Sequence, residues 1–202
     1  MIDPALIDRA DEIIDRLFAL DEEVANGRAF RALLEDLHAR DLSIVKEPHI
    51  AAITVVRAGI LRALISSVVA CLDRGDRRGN RASVGQILDL LEDAEVVAVF
   101  KTGTAALQRV KDEYVNLVES ELFERGRSLR NRAIAHLLTT NAPTATSTYK
   151  TFYDLHDAAE RLTIGLFEAC GRGEPTFHGH RATLTAHARI FWDTYFAGMR
   201  CR

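Results

Sequence analysis

A chain of 202 residues, 48% hydrophobic and 27% charged, is long enough to bury one sizeable core and too apolar to remain unfolded. Its net charge of −3 excludes a globally basic nucleic-acid binder, so any grip on a polyanion must come from a local cluster of arginines. The acidic opening MIDPALIDRADEIID has no secretory pattern, and Cys71, Cys170 and Cys201 have no metal-like spacing, which predicts reduced thiols in a cytoplasmic protein.

Read in chain order, the pattern is helical throughout, and residues 1–202 are expected to form one domain. Asp3-Pro4 supplies an N-cap and a first-turn proline, and Ile7, Ile14, Leu17 and Phe18 recur near helical spacing. Asn26-Gly27 reads as the end of that helix, with RAFRALLEDLHAR at 28–40 resuming the pattern. The most apolar run, 50–72, is long enough to cross a bilayer. Arg57 and Arg62 stand in its middle, however, at roughly 2.5–3.5 kcal/mol each on insertion scales, and a central bundle helix over about 46–73 is expected instead.

Residues 73–83, DRGDRRGNRAS, form a glycine-broken loop carrying Arg74, Arg77, Arg78 and Arg81, and Ser83 is placed to cap a short helix. A helical pattern then runs from about 94 to 139, with Gly103 and Gly126 as the places where it is expected to break. A polar loop at 139–147 contains Pro143. Two further helices follow, separated by the glycine-rich turn GRGEPTFHGH and ending in an aromatic-rich segment with Phe191, Trp192, Tyr195 and Phe196. No alternating strand, internal repeat or heptad run is present, so the expected fold is an all-α bundle of five to seven helices.

The segment SLRNRAIAHLL, 128–138, carries the chemistry-bearing residues. At about 100° per residue, His136 falls at the edge of the apolar stripe with Arg132 beside it, while Arg130 lies roughly 120° away. A break at Gly126 with Ser128 as cap would put Arg130 and Asn131 in a first turn, where free N–H groups favour phosphate. Histidine exchanges protons near neutral pH, and arginine holds a phosphate bidentately. Together they suit metal-free RNA cleavage by the neighbouring 2′-hydroxyl, with Asn131 orienting the histidine or a phosphate oxygen.

The order Arg130-Asn131, then His136 after five residues, resembles the signature of the HEPN superfamily. The wider chain, through CLDRGDRRGNRASVGQILDLL and the late IFW at 190–192, resembles its AbiU-like branch, linked to abortive infection. The resemblance implies a helical bundle that dimerises with both motifs lining one cleft, and in many members metal-independent endoribonuclease activity in antiviral defence or in a toxin–antitoxin pair. Arg130, Asn131 and His136 are then the catalytic set. Some members carry a tyrosine two residues after the histidine, which a partner enzyme modifies; here that position is Leu138, which puts such regulation in doubt.

Arg125, Arg127 and Arg132 make the neighbourhood of the motif basic, and Arg74, Arg77, Arg78 and Arg81 either grip an RNA backbone or simply solvate their loop. The expected partners are RNA, a second copy of the chain and an antitoxin or other regulatory protein, with no membrane. No metal or cofactor is expected, since His178, His180 and His187 are too loosely spaced for a metal set. Two alternatives stay open: a non-catalytic HEPN-like module that binds RNA, a nucleotide or a protein, and a helical scaffold in which the motif only solvates its helix.

Overall fold

A computed structural model describes residues 3–43, 45–47, 49–73, 82–100, 104–135 and 146–200, with the backbone alone for 132–135, 146–148 and 200. Pro48, Arg74, Arg77, Arg78, Arg81, Gly103, His136, Leu138, Pro143 and Cys201 lie outside the described residues, as does the side chain of Arg132. Among the described residues the chain is all-α, with α1 (Pro4–His38), α2 (His49–Leu72), α3 (Val84–Leu90), α4 (Ala94–Val99), α5 (Thr104–Val118), α6 (Glu121–Ala135), α7 (Thr146–Ala169) and α8 (Thr176–Arg200).

Several termini follow the local chemistry read from the sequence. Asp3 accepts from the Ala5 N–H ahead of Pro4, and Ser83 Oγ accepts from the Gln86 N–H at the start of α3. At the end of α7, Gly171 adopts φ 63° while the Arg172 N–H bonds Phe167 O and the Gly171 N–H bonds Glu168 O. Those paired bonds need a left-handed residue, which glycine supplies without a Cβ clash. The first turn of α8 is capped from a distance: buried Asp21 of α1 accepts from the Thr176 N–H, the Thr176 hydroxyl and the Phe177 N–H.

The predicted breaks at Gly27 and Gly126 are not there. Helix α1 runs 35 residues straight through Asn26-Gly27, and α6 passes Gly126 and Ser128 without interruption. Both glycines serve close approach to α7. A Cβ on Gly27 would lie 2.8 Å from His156 Cδ2 and 3.0 Å from Ser67 Oγ, and one on Gly126 would collide with Leu155 Cδ1. The long pattern from 94 divides between Val99 and Thr104, on either side of the stretch that holds Gly103, and again at Ser120, whose Oγ accepts from the Phe123 N–H and starts α6, with Glu121 and Glu124 in its first turn.

The main core joins Leu17, Leu20 and Val24 of α1 to Leu64 and Val68 of α2, Ile87, Val96, Val110, Phe152 and Leu162, and reaches Phe177 of α8. Helix α6 contributes partly buried Leu122, Phe123 and Leu129. A second cluster forms around Leu37, Ile53 and Trp192, whose Nε1 donates to Leu33 O, and Tyr195 and Phe196 pack against it. Phe191, half exposed, stacks on Tyr195.

Helix α2 departs from the expected central core helix. Its C-terminal half is buried through Leu64, Ile65, Val68 and Cys71, but its first turns rest on one side only, leaving Ile50 exposed and Val55 72% exposed. By length and composition it is also apolar enough to cross a membrane, with 33% of its most apolar stretch buried.

The two kinds of glycine predict opposite responses. Gly27→Ala must displace a hydrogen-bonded ring, an overpacking cost of about 1–3 kcal/mol that exceeds the ~1 kcal/mol helix-propensity gain of alanine. Gly59 of α2 has open space around its Cβ direction. Thermal melts should therefore fall for Gly27→Ala and rise by about 2–4 °C for Gly59→Ala; a raised melt for Gly27→Ala would contradict the close-approach account.

Candidate functional site

Arg130 is held at the junction of α6 with the end of α2. Its Nη1 donates to Asp73 Oδ2 at 2.9 Å and its Nε donates to Asn131 Oδ1 at 3.1 Å. The Arg130 side chain is 25% exposed. It lines an open groove of about 600 Å³ together with Ala19 and Glu23 of α1, Ser66, Val69 and Ala70 of α2, and Ala82.

The structure thus brings Arg130 and Asn131 into direct contact. Asp73 is the last described residue before the four-arginine segment 74–81, so the chain enters that segment beside Arg130. Sequence reading passed over Asp73 because its relation to Arg130 is set by the packing of α6 on α2, 57 residues away in the chain.

Arg125 and Arg127 lie exposed on α6, Arg127 within 3.5 Å of Glu124 one turn earlier. Such an exposed pair contributes about 0–1 kcal/mol and leaves the cation available to another anion. A smaller, mostly apolar cavity between α2, α6 and α7 is lined by Val68, Leu72, Asp73, Phe123, Gly126 and Leu155. It shares Asp73 with the Arg130 contact, and Asp73 and Arg127 are the charged residues that line it.

A second polar cluster, which sequence reading missed, sits at the crossing of α1 and α7. His156 is buried, with Nε2 3.1 Å from Val24 O and Nδ1 3.4 Å from Glu160 Oε1. Arg28 is ion-paired with the other Glu160 oxygen. Arg31 bonds Asp157, donates to Glu35 Oε1 at 2.7 Å and lies over the Tyr153 ring.

Burial holds the His156 pKa below the ordinary histidine value, against the opposing pull of Glu160 and the Val24 bond, so the ring is neutral near pH 7. A legible signal was present: His156 and Glu160 at i,i+4 with Asp157 between them, on the most core-facing helix of the C-terminal half.

The remaining residues singled out from sequence are plain in their surroundings. His178, His180 and His187 are exposed along α8. Arg57 is half-buried near His38, whose pKa is lowered first by burial and then by that charge, and Arg62 is exposed. Burial pushes the Cys170 thiol up to about 11 and the Cys71 thiol higher still, so neither supplies a thiolate nucleophile at neutral pH.

The chain matches none of the protein-family models, curated proteins or solved structures it was compared with.

The two clusters should respond differently to truncation. Arg130→Ala loses a half-exposed pair of about 0–1 kcal/mol, leaving Asp73 able to reach water, so its melt should stay within about 4 °C of the parent. Arg28→Ala strands Glu160 where both partners are largely buried and should cost about 3–5 kcal/mol. Equal losses in the two variants, read by denaturant unfolding, would show that Arg130 is a structural anchor.

Proposed function

We propose that this protein is a metal-independent HEPN-type endoribonuclease, acting in phage defence by abortive infection or as the toxin of a toxin–antitoxin pair. The observation that carries the reading is Arg130, positioned by Asn131 and Asp73 at the edge of an open groove, six residues ahead of His136. Arg130 exchanges Asp73 for the scissile phosphate, and Asn131 keeps the guanidinium oriented during that exchange. The 2′-hydroxyl attacks the adjacent phosphorus and loses its proton, and the 5′-oxygen departs carrying a proton. His136 serves at one of these two transfers. Arg130 steadies the charge that builds on the phosphate oxygens.

Glu23 lines the same groove, so recognition rests on the arginine fork and the exposed Arg125 and Arg127 rather than on a uniformly positive surface. Arg132 and the segment with Arg74, Arg77, Arg78 and Arg81 extend the phosphate contacts in this reading. Arg130 and His136 are separated by roughly 120° around a helix and about 9 Å along it. A two-fold axis beside α6 would set the arginine of one subunit against the histidine of the other, making a homodimer with a shared cleft the working unit. An antitoxin or regulatory protein would act by covering that cleft.

A second reading also has an observation behind it. Arg130 already has two oxygen partners, as it would in a non-catalytic HEPN-like module that binds RNA or a nucleotide through the neighbouring arginines.

Incubating the full chain with mixed RNA in chelator separates the two readings, with a melt in the same buffer to establish that the protein is folded. The nuclease reading expects 2′,3′-cyclic phosphate and 5′-hydroxyl ends, lost in both His136→Ala and Arg130→Ala. Mixing these two inactive proteins under subunit exchange should restore some cleavage. RNA binding without cleavage, or full cleavage by His136→Ala, would overturn the assignment.

A further inference from the structure

The crossing of α1 and α7 leaves buried polar atoms incompletely satisfied. His156 Nε2 faces the Val24 carbonyl, so the ring hydrogen belongs on Nε2 and Nδ1 presents a lone pair. That lone pair faces Glu160 Oε1 at 3.4 Å. Neither Nδ1 nor Oε1 has a hydrogen-bond partner, although the His156 side chain is only 2% exposed. Two buried acceptors pointed at one another repel, and the arrangement is stable only with a positive centre between them.

A shared proton fits poorly, because a charge-assisted N–H···O bond closes to about 2.7–2.9 Å. A metal ion fits the spacing. With zinc bonds of about 2.0–2.2 Å to nitrogen and oxygen, the edge of a tetrahedron is about 3.3–3.5 Å.

We propose that His156 Nδ1, Glu160 Oε1 and the Asp157 carboxylate form a binding site for a divalent transition-metal ion of the zinc class. The three ligand atoms already lie within 4.8 Å of one another. Asp157, whose side chain is 45% exposed, exchanges its bond with Arg31 for the ion, and Arg31 keeps its bond to Glu35. Arg28 holds the other Glu160 oxygen, and the Val24 carbonyl backs the histidine, the arrangement that fixes tautomer and ring orientation in metal-ligating histidines.

Glu35, Asp157 and Glu160 balance Arg28, Arg31 and the exposed Arg181, so the site rests on its unpartnered ligand atoms rather than on an excess of negative charge. A small cleft of about 30 Å³ beside Asp157, lined by Arg28, Arg31, Glu35, Asp157, Arg181 and Thr185, gives an entry path and room for a fourth, water ligand. All three ligands lie on α7, with Arg28 and the Val24 carbonyl of α1 behind them, and the site shares no residue with the α6 motif, so it stands independently of the ribonuclease reading.

The test uses the full chain, stripped with chelator and then freed of it, titrated with zinc alone by calorimetry at pH 7 and melted with and without zinc. One equivalent should bind with a micromolar or tighter Kd and raise the melting temperature by several degrees. Asp157→Asn, on a half-exposed side chain, should keep the fold and weaken binding at least tenfold, and Glu160→Gln should abolish the zinc-dependent shift. Absence of saturable binding would overturn the site. So would binding kept by Asp157→Asn, or binding lost on replacing His178 and His180, which would place the ion on α8.

Discussion

Val24 lies in mid-helix, yet its carbonyl accepts a bond from His156 across the crossing of α1 and α7, and that contact exists only because residue 27 has no side chain. Gly27 lets the imidazole lie against the α1 backbone, with Ser67 of α2 bonded to the next carbonyl up, Glu23 O, at 2.7 Å. Three helices are therefore locked together by two polar bonds to consecutive carbonyls of one helix. The apolar residues Leu17, Leu20, Leu34, Phe152 and Leu162 then pack in one core around a fixed spacing. Directional bonds fix the register of surfaces that hydrophobic burial alone would leave free to slide.

The candidate site lies at the edge of this frame. Helix α7 carries α6 on its far side through the second close approach, Gly126 against Leu155, and α6 in turn reaches the end of α2 through Arg130 and Asp73. The motif arginine is thus attached to two rigid helices by a contact that is itself half exposed and weak. An arginine so placed is oriented without being committed, because a pair this exposed contributes only about 0–1 kcal/mol. The buried Arg28–Glu160 pair at the α1–α7 crossing has the opposite character, with charges that cannot be released without stranding a partner.

Much of the fold was legible. Asp3-Pro4, Ser83 and Gly171 act through neighbouring backbone groups, and local sequence predicts them for that reason. Gly27 and Gly126 misled because a glycine that ends a helix and one that admits another helix are the same letter. The difference is set by His156 and Leu155, which arrive from more than a hundred and about thirty residues away along the chain respectively. The division at Ser120 was hidden inside a continuous apolar period, and only the serine hydroxyl at the Phe123 N–H marks it. At the candidate site, the Arg130–Asn131 juxtaposition was within reach of sequence, whereas Asp73, Glu23 and the His156–Glu160–Arg28 network depend on tertiary approach.

In the proposed nuclease Arg130 gives up a carboxylate for a phosphate, and the salt dependence of RNA binding measures that exchange directly. Each phosphate neutralised on a single strand contributes about 0.7 to the slope of log affinity against log salt. Arg130→Gln, folded like the parent, should bind more weakly across unrelated RNA sequences, with a slope smaller by about that amount. A slope and affinity unchanged from the parent would mean that Arg130 meets Asp73 alone and no phosphate.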